Sequence, residues 1–248
     1  MNPSMIHHLP AAVTPTISSD EQVMFTVDAS TLRAAINAAT PAASTDQARP
    51  ALTGVLVETC PEGVRLVACD SYRLHAVTIT TERVAIGEPF PPVIIPASDL
   101  TRIAKGVPKV RRGNLEPAVR FVLETGGRSV RIETITPDGA STVQVRLLQA
   151  DYPQWQQLLP PERTATDPDT GATTVLPPLE ESEPVAWNPA YLADICAAAK
   201  TIGSHWVKLA RLAPFARYTC NLRPAVYTAH GVDTGCDLLA LVMPLRLP

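Results

Sequence analysis

The sequence predicts an α+β fold assembled from three copies of a β-α-βββ unit, and three observations carry that reading. Runs such as VRLVACD (64–70) alternate, with Val64, Leu66 and Ala68 against Arg65 and Val67, as a strand with one face on a core does. Between such runs lie stretches whose apolar residues recur at helical spacing, as in Leu32, Ala35, Ile36 and Ala39. Strand, helix and further strands then follow one another in the same order three times along the chain.

In the first copy a short strand, MFTV (24–27), leads to the helix with Leu32 and Ile36, and strands follow around GVLVET, VRLVA and HAVTI. The second copy opens with VIIP (93–96). It continues in a helix carrying Leu100, Ile103 and Ala104 with Ser98 as N-cap, then runs into AVRFVLE, SVRIETI and TVQVRLLQ. The third opens near PVAW (184–187), and its helix has the clearest start in the chain. Asn188 is the N-cap, Pro189 fills the first helical position, and Leu192, Ile195, Cys196 and Ala199 share one face. VKLARL, ARYTCNL, AVYTA and LLALVMPL supply its strands. Between copies two and three, PPERTATDPDTGATTVLPPLEESEP is dense in Pro, Thr and acids, a composition that reads as a flexible connector. Residues 1–22 read as a flexible tail.

With 248 residues and 46% apolar content, the chain can bury a substantial core. No apolar stretch approaches the roughly 18 residues that span a bilayer, and the N-terminus has neither the basic start nor the apolar run of a signal peptide, so an intracellular protein with no membrane partner is expected. Cys60, Cys69, Cys196, Cys220 and Cys236 are odd in number and contain no CxxC pair, which predicts reduced thiols and no metal site.

The net charge of −3 argues against a surface that grips nucleic acid all round, or a stand-alone DNA-binding domain. Charge is nonetheless uneven. From 102 to 131 there are eight basic residues (Arg102, Lys105, Lys109, Arg111, Arg112, Arg120, Arg128, Arg131) against Glu116 and Glu124; from 161 to 183 there are six acids against Arg163. One basic face and one acidic connector are expected.

No phosphate loop, GxSxG elbow, HExxH or GxGxxG is present, and His75, His205 and His230 lie far apart without carboxylate or cysteine companions. A binding protein rather than an enzyme is predicted, with no cofactor. The octet ACDSYRLH (68–75) asks for more, because a strand that has buried three apolar side chains ends in a polar cluster. Taken alone, Asp70 and Ser71 would form an Asx-type turn and Arg73 would be solvated.

The stretch RPALTGVLVETCPEGVRLVACDSYRLHAV (49–77) resembles the central-domain signature of the bacterial DNA polymerase III beta subunit, the sliding clamp, in which RP-L-GVL precedes L-LVATD-(G/S)-(H/Y)-RLA. Three more matches fall in the family's order. ADYPQWQQLLP (150–160) resembles E-(F/Y)-PDY-LIP, WNPAYLADICAAAK (187–200) resembles FNP-YL-DALKA, and LVMPLRL (241–247) resembles VMPMRL. The resemblance implies the DNA-clamp (processivity) fold, with residues 23–160 as the central domain, 161–183 as connector and 184–248 as the second half of the last domain. Relative to the family's six units per subunit, this chain carries three, so the resemblance alone leaves open whether and with how many subunits a ring would close.

In that family the polar end of the strand borders a peptide-docking pocket. Carried over, Leu52, Leu74, Pro160, Leu241, Met243, Pro244, Leu245 and Leu247 would line it, with Cys69, Ser71, Tyr72, Arg73 and Arg246 at its edge and Asp70 bracing the turn. Without the resemblance, Met243 and Leu247 would read as edge-strand core. The family's helices line the inner wall of a ring around duplex DNA, which would turn Arg33, Arg102, Lys105, Lys109, Arg111 and Arg112 toward phosphates without reading sequence. The resemblance thus implies a sliding-clamp-like processivity factor, cytoplasmic and nucleoid-associated. Its partners would be duplex DNA, peptides of the polymerase and clamp loader, and copies of itself or another clamp subunit. The alternative is a clamp-derived adaptor or decoy that binds the same peptides and never encircles DNA.

Overall fold

The computed structural model describes residues 22–87, 89–108, 115–159, 164–166, 173–175, 187–211 and 225–243. The first unit comprises β1 (Gln22–Asp28), α1 (Ala29–Ala39), β2 (Gly54–Cys60), β3 (Gly63–Cys69) and β4 (Arg73–Thr80), followed by a short strand β5 (Val84–Ile86) that periodicity had not announced. The second is β6 (Val93–Pro96), α2 (Ala97–Gly106), β7 (Ala118–Leu123), β8 (Ser129–Thr136) and β9 (Gly139–Arg146). A two-stranded pair, β10 (Thr164–Thr166) with β11 (Thr173–Val175), lies inside the segment expected to be a plain connector. Its Thr- and Val-rich strands have the β-branched side chains that favour extended backbone. The third unit has α3 (Pro189–Thr201), β12 (Lys208–Arg211), β13 (Ala225–Gly231) and β14 (Cys236–Val242). The expected tail, the leading strand near 184–186 and the strand ARYTCNL lie outside the described residues.

Helix starts follow local chemistry. Asn188 caps α3, its Oδ1 accepting from the Ala190 amide at 3.0 Å, with Pro189 behind it. By contrast α2 begins at Ala97 with Pro96 as the flanking residue, so Ser98 is already helical and is not the cap.

Units one and two interlock by exchanging their first strands. β1 of the first pairs with β7 of the second, and β6 of the second pairs with β2 of the first. Two sheets result, β5-β1-β7-β8-β9 and β12-β13-β14-β4-β3-β2-β6. The exchange is held by Phe25 and Phe121, registered partners on β1 and β7 whose buried rings stack at 4.4 Å between centroids, an arrangement worth about 1 kcal/mol beyond area burial. The third unit joins through β14, which pairs antiparallel with β4 and makes one continuous seven-stranded sheet.

All three helices pack against one main core with the inner faces of both sheets, and α1 touches both α2 and α3. Buried within it, His75 Nδ1 lies 2.7 Å from the Ala38 carbonyl oxygen, and burial lowers the imidazole pKa, favouring the neutral ring. This histidine is structural. Among the described residues no helix is long and apolar enough to cross a membrane.

Candidate functional site

The seven-stranded sheet has a second face, away from the helices, and its registers align side chains into rows. Val226 on β13, Leu241 on β14, Leu74 on β4 and Cys69 on β3 are successive partners across four strands. Strand alternation puts them on one face. The next row runs Thr228, Leu239, Ala76, Val67, Leu56 and Ile94, and the one after it His230, Asp237, Thr78, Arg65 and Glu58. The face therefore grades from apolar at the ACDSYRLH end to charged at the other. Leu56, Val67, Leu74, Ala76, Ile94, Val226 and Leu241 form a cluster of their own, distinct from the main core, completed by Trp155.

The strap that closes part of this face is residues 150–159, ADYPQWQQLL. Trp155 is buried against the cluster, Tyr152, Leu158 and Leu159 pack beside it, and the Tyr152 hydroxyl donates to the Val67 carbonyl at 3.1 Å. Burial pushes the Tyr152 phenol pKa strongly upward, so it stays a donor. Arg65 lies over the Trp155 ring at 5.4 Å. Beside the strap a cavity of about 400 Å³ opens over the second and third rows, lined by residues including Arg65, Thr78, Leu159, Trp206, His230 and Asp237. Gly54 explains part of the GVL motif: an added Cβ would lie 2.4 Å from Ile94 Cγ2 and 2.9 Å from Leu148 Cδ1, so only glycine permits this packing.

The polar end of the octet is a built turn. Asp70 Oδ1 accepts from the Tyr72 and Arg73 amides, both at 2.9 Å, the Asx turn that the residue types imply. Ser71 sits at φ 81°, in the left-handed region. Its hydroxyl accepts from Arg49 Nη1 at 2.7 Å, and its amide donates to Cys69 Sγ at 3.4 Å. The Tyr72 carbonyl accepts from the Met243 amide at 2.7 Å, which ties the end of β14 to the turn. Tyr72 itself is 60% exposed.

Arg73 departs from the expected rim position. Its side chain is only 14% exposed; Nε donates to Asp70 Oδ2 at 3.0 Å, Nη1 to Asp194 of α3, and the guanidinium stacks 4.6 Å from the Tyr191 ring centroid. It clasps unit one to unit three.

Leu74 and Leu241 are registered partners, Leu52 is buried beside the strand start, and Cys69, Ser71, Tyr72 and Met243 gather at one end of the row. Pro160, Pro244, Leu245, Arg246 and Leu247 lie outside the described residues. Sequence reasoning missed Arg49, Val226, Leu239 and Trp155. The RP dipeptide and the strap's conspicuous Trp were the available signals; Val226 and Leu239 were indistinguishable from inner-face residues until the sheet was seen.

The expected basic face lies only in part among the described residues. Arg33 donates to the carbonyls of Ala104 (3.2 Å), Val107 (2.5 Å) and Pro108 (2.7 Å), satisfying the C-terminal end of α2 instead of facing outward. Arg102 is exposed and paired with Asp99, Lys105 is exposed, and Lys109, Arg111 and Arg112 lie outside the described residues. Arg120 and Arg131 converge on the buried Glu133. Strand alternation turns those three away from the helices.

A family model described as DNA polymerase III beta subunit, central domain, matches residues 26–154. The chain belongs to that family. Among solved structures, the sliding clamp of Bacillus subtilis is similar over 96% of this chain and 68% of its own length, at 18% identity and a TM-score of 0.61. The beta subunit of Streptococcus pyogenes matches over 96% of this chain and 69% of its own, at 20% identity and TM-score 0.63. That of Thermotoga maritima matches over 97% and 70%, at 18% identity and TM-score 0.61. These likenesses establish the sliding-clamp fold; the row of side chains from β13 to β3 lies where units one and three of this chain share a sheet.

Proposed function

We propose that this sliding-clamp-family protein is a non-enzymatic processivity factor that tethers a DNA polymerase and other clamp-binding proteins to duplex DNA by docking their short peptides in the trough beside ACDSYRLH. The observation that supports it most is the apolar row Val226, Leu241, Leu74 and Cys69, which crosses from unit three into unit one and ends at a turn hydrogen-bonded to Met243. A peptide needs an apolar lining for its anchors and a few polar groups to hold its backbone. Ser71, Arg49 and the exposed Tyr72 supply such groups at the rim. In this reading residues 23–160 serve as the central domain, 161–183 as the connector and 184–248 as half of the last domain, and the protein works in the cytoplasm at the nucleoid.

Met243 is half-buried at the end of the row, and its thioether suits a wall that accepts several partners. Met243→Ala should weaken a polymerase-derived peptide with apolar anchors by about 1 to 2 kcal/mol, roughly tenfold, without loss of fold. Fluorescence anisotropy with circular dichroism reads this; unchanged affinity in a folded variant removes Met243 from the pocket.

The DNA half of the reading rests on Arg102 and Lys105 on α2 and on the basic residues that follow. A ring-forming clamp should stay on nicked circular DNA after loading and be lost on linearisation, with salt-dependent residual association. The adaptor reading, which the engagement of Arg33 with α2 carbonyls favours, predicts peptide binding with no such retention.

A further inference from the structure

Among the described residues, two guanidinium groups are seated between an aromatic ring and carboxylates. Arg65 lies 5.4 Å from the Trp155 ring centroid, with Nη2 3.2 Å from Glu62 Oε2, Nη1 3.9 Å from Glu58 Oε1, and Nε donating to Thr78 Oγ1 at 3.1 Å. Arg73 lies 4.6 Å from the Tyr191 ring centroid and pairs with Asp70 and Asp194. In each case the ring offers the negative face of its π-system to the cation, while carboxylates accept from the guanidinium fork.

The cavity of about 400 Å³ over the second and third rows brings the same partners together again. Trp206 comes two residues before Lys208, the registered partner of Thr228, so it stands at the end of the third row beside His230. It is 53% exposed and lines the cavity with Asp237 and Glu62. His230 Nδ1 lies 2.5 Å from Asp237 Oδ1. A carboxylate has about four acceptor sites, so the contacts with His230 and Arg65 leave Asp237 and Glu62 able to accept further N–H donors. Both carboxylates are exposed along much of the side chain, whereas the Arg65 guanidinium is already engaged by Glu58, Glu62, Thr78 and Trp155. The lining therefore has an aromatic face and spare negative charge. Lys208 borders this cavity from β12.

We propose that this cavity takes an arginine side chain of the peptide docked in the adjoining trough, its guanidinium lying on the Trp206 indole and donating to Asp237, with Glu62 adding negative charge across the cavity. The proposal rests on the docking reading, because the trough and the cavity share one face of the sheet and a peptide in the first row is within reach of the third. Leu74 and Thr78, like their partners Leu241 and Asp237, are four residues apart along their strands, about 13 Å at roughly 3.3 Å per residue. An extended peptide spans that distance in about four residues, which sets the spacing between its apolar anchors and the arginine. Arginine fits better than lysine because a planar fork can stack on a ring and donate to a carboxylate at the same time, as Arg65 and Arg73 do.

The test titrates the full chain with peptides that share the apolar anchors and carry Arg, Lys, Ala or Glu at that spacing, either before or after the anchors, read by fluorescence anisotropy. In one of the two placements Arg should bind about three- to tenfold more tightly than Ala, Lys should gain less, and Glu should gain nothing. Trp206→Ala and Asp237→Asn should each remove the arginine gain and leave the affinity of the Ala peptide unchanged. Both side chains are about half exposed, so the circular dichroism spectrum should be kept. Equal affinity of the Arg and Ala peptides in both placements overturns the proposal, as does a gain that both variants retain or a preference for Glu. The cavity is also probed without the trough: Nα-acetyl-arginine amide at millimolar concentration should change the indole emission saturably, and Trp206→Ala should abolish that change. Arginine amide binding with no peptide binding would defeat the docking reading and keep the cavity as an arginine site. Peptides held by their anchors with no arginine gain would defeat the cavity and keep the docking reading, and silence in both titrations would defeat both.

Discussion

Arg73→Ala is expected to cost about 2 kcal/mol of stability and to loosen α3 from the sheet junction. The guanidinium is held by Asp70 and Asp194 and stacks on Tyr191, with 14% of its side chain exposed. Removing one partner of a buried pair costs about 3 to 5 kcal/mol because the other charge is left uncompensated. Asp194 is 39% exposed, so solvent takes over part of that charge and the estimate falls to the lower figure. Arg73→Lys should recover little, since one ammonium cannot fork between two carboxylates and stack on a ring. A double-mutant cycle with Asp194→Asn, read by urea unfolding, should show a coupling above about 0.5 kcal/mol. Wild-type stability in Arg73→Ala would mean that the clasp contributes nothing. Because Tyr72 and Met243 are tied together beside this clasp, peptide affinity should fall as well.

Trp155→Ala should be more severe, with a loss of about 3 to 5 kcal/mol from an emptied aromatic site. The ring is buried against Leu56, Val67, Ala76 and Ile94 and carries the Arg65 guanidinium on its face. Its removal uncovers the second row of the sheet and leaves the Tyr152 strap with one attachment fewer. Trp155→Phe should recover more than half of the loss by refilling the space. Chemical unfolding followed by far-ultraviolet circular dichroism tests this without relying on tryptophan fluorescence. An unfolding midpoint unchanged in Trp155→Ala would show that the strap does not hold the outer face. Such a loss is a large part of the roughly 5 to 15 kcal/mol that usually separates folded from unfolded domains.

Residue patterns alone determined the strand-helix-strands order of units one and two, the described strands of unit three, the start of α3 at Asn188 and Pro189, and the Asx turn at Asp70. Each of these depends on neighbours within a few residues: alternation, helical spacing, capping and turn chemistry are local. The motifs from RPALTGVL to LVMPLRL also made the clamp family legible, and with it the meeting of Leu74 and Leu241. Other features were decided by contacts between residues far apart in sequence. Arg73 looked like any exposed arginine until α3 brought Asp194 and Tyr191 to it. Arg33 looked like a DNA-facing cation until the end of α2 presented its carbonyls. A side chain's charge is written in the sequence, but its partner depends on which element packs beside it. For the same reason Leu192 and Cys196 read as core beside Ile195 and Ala199, although the fold buries only the latter two. Spacing determines which side of a helix is apolar; only tertiary packing decides whether anything in the same chain covers it.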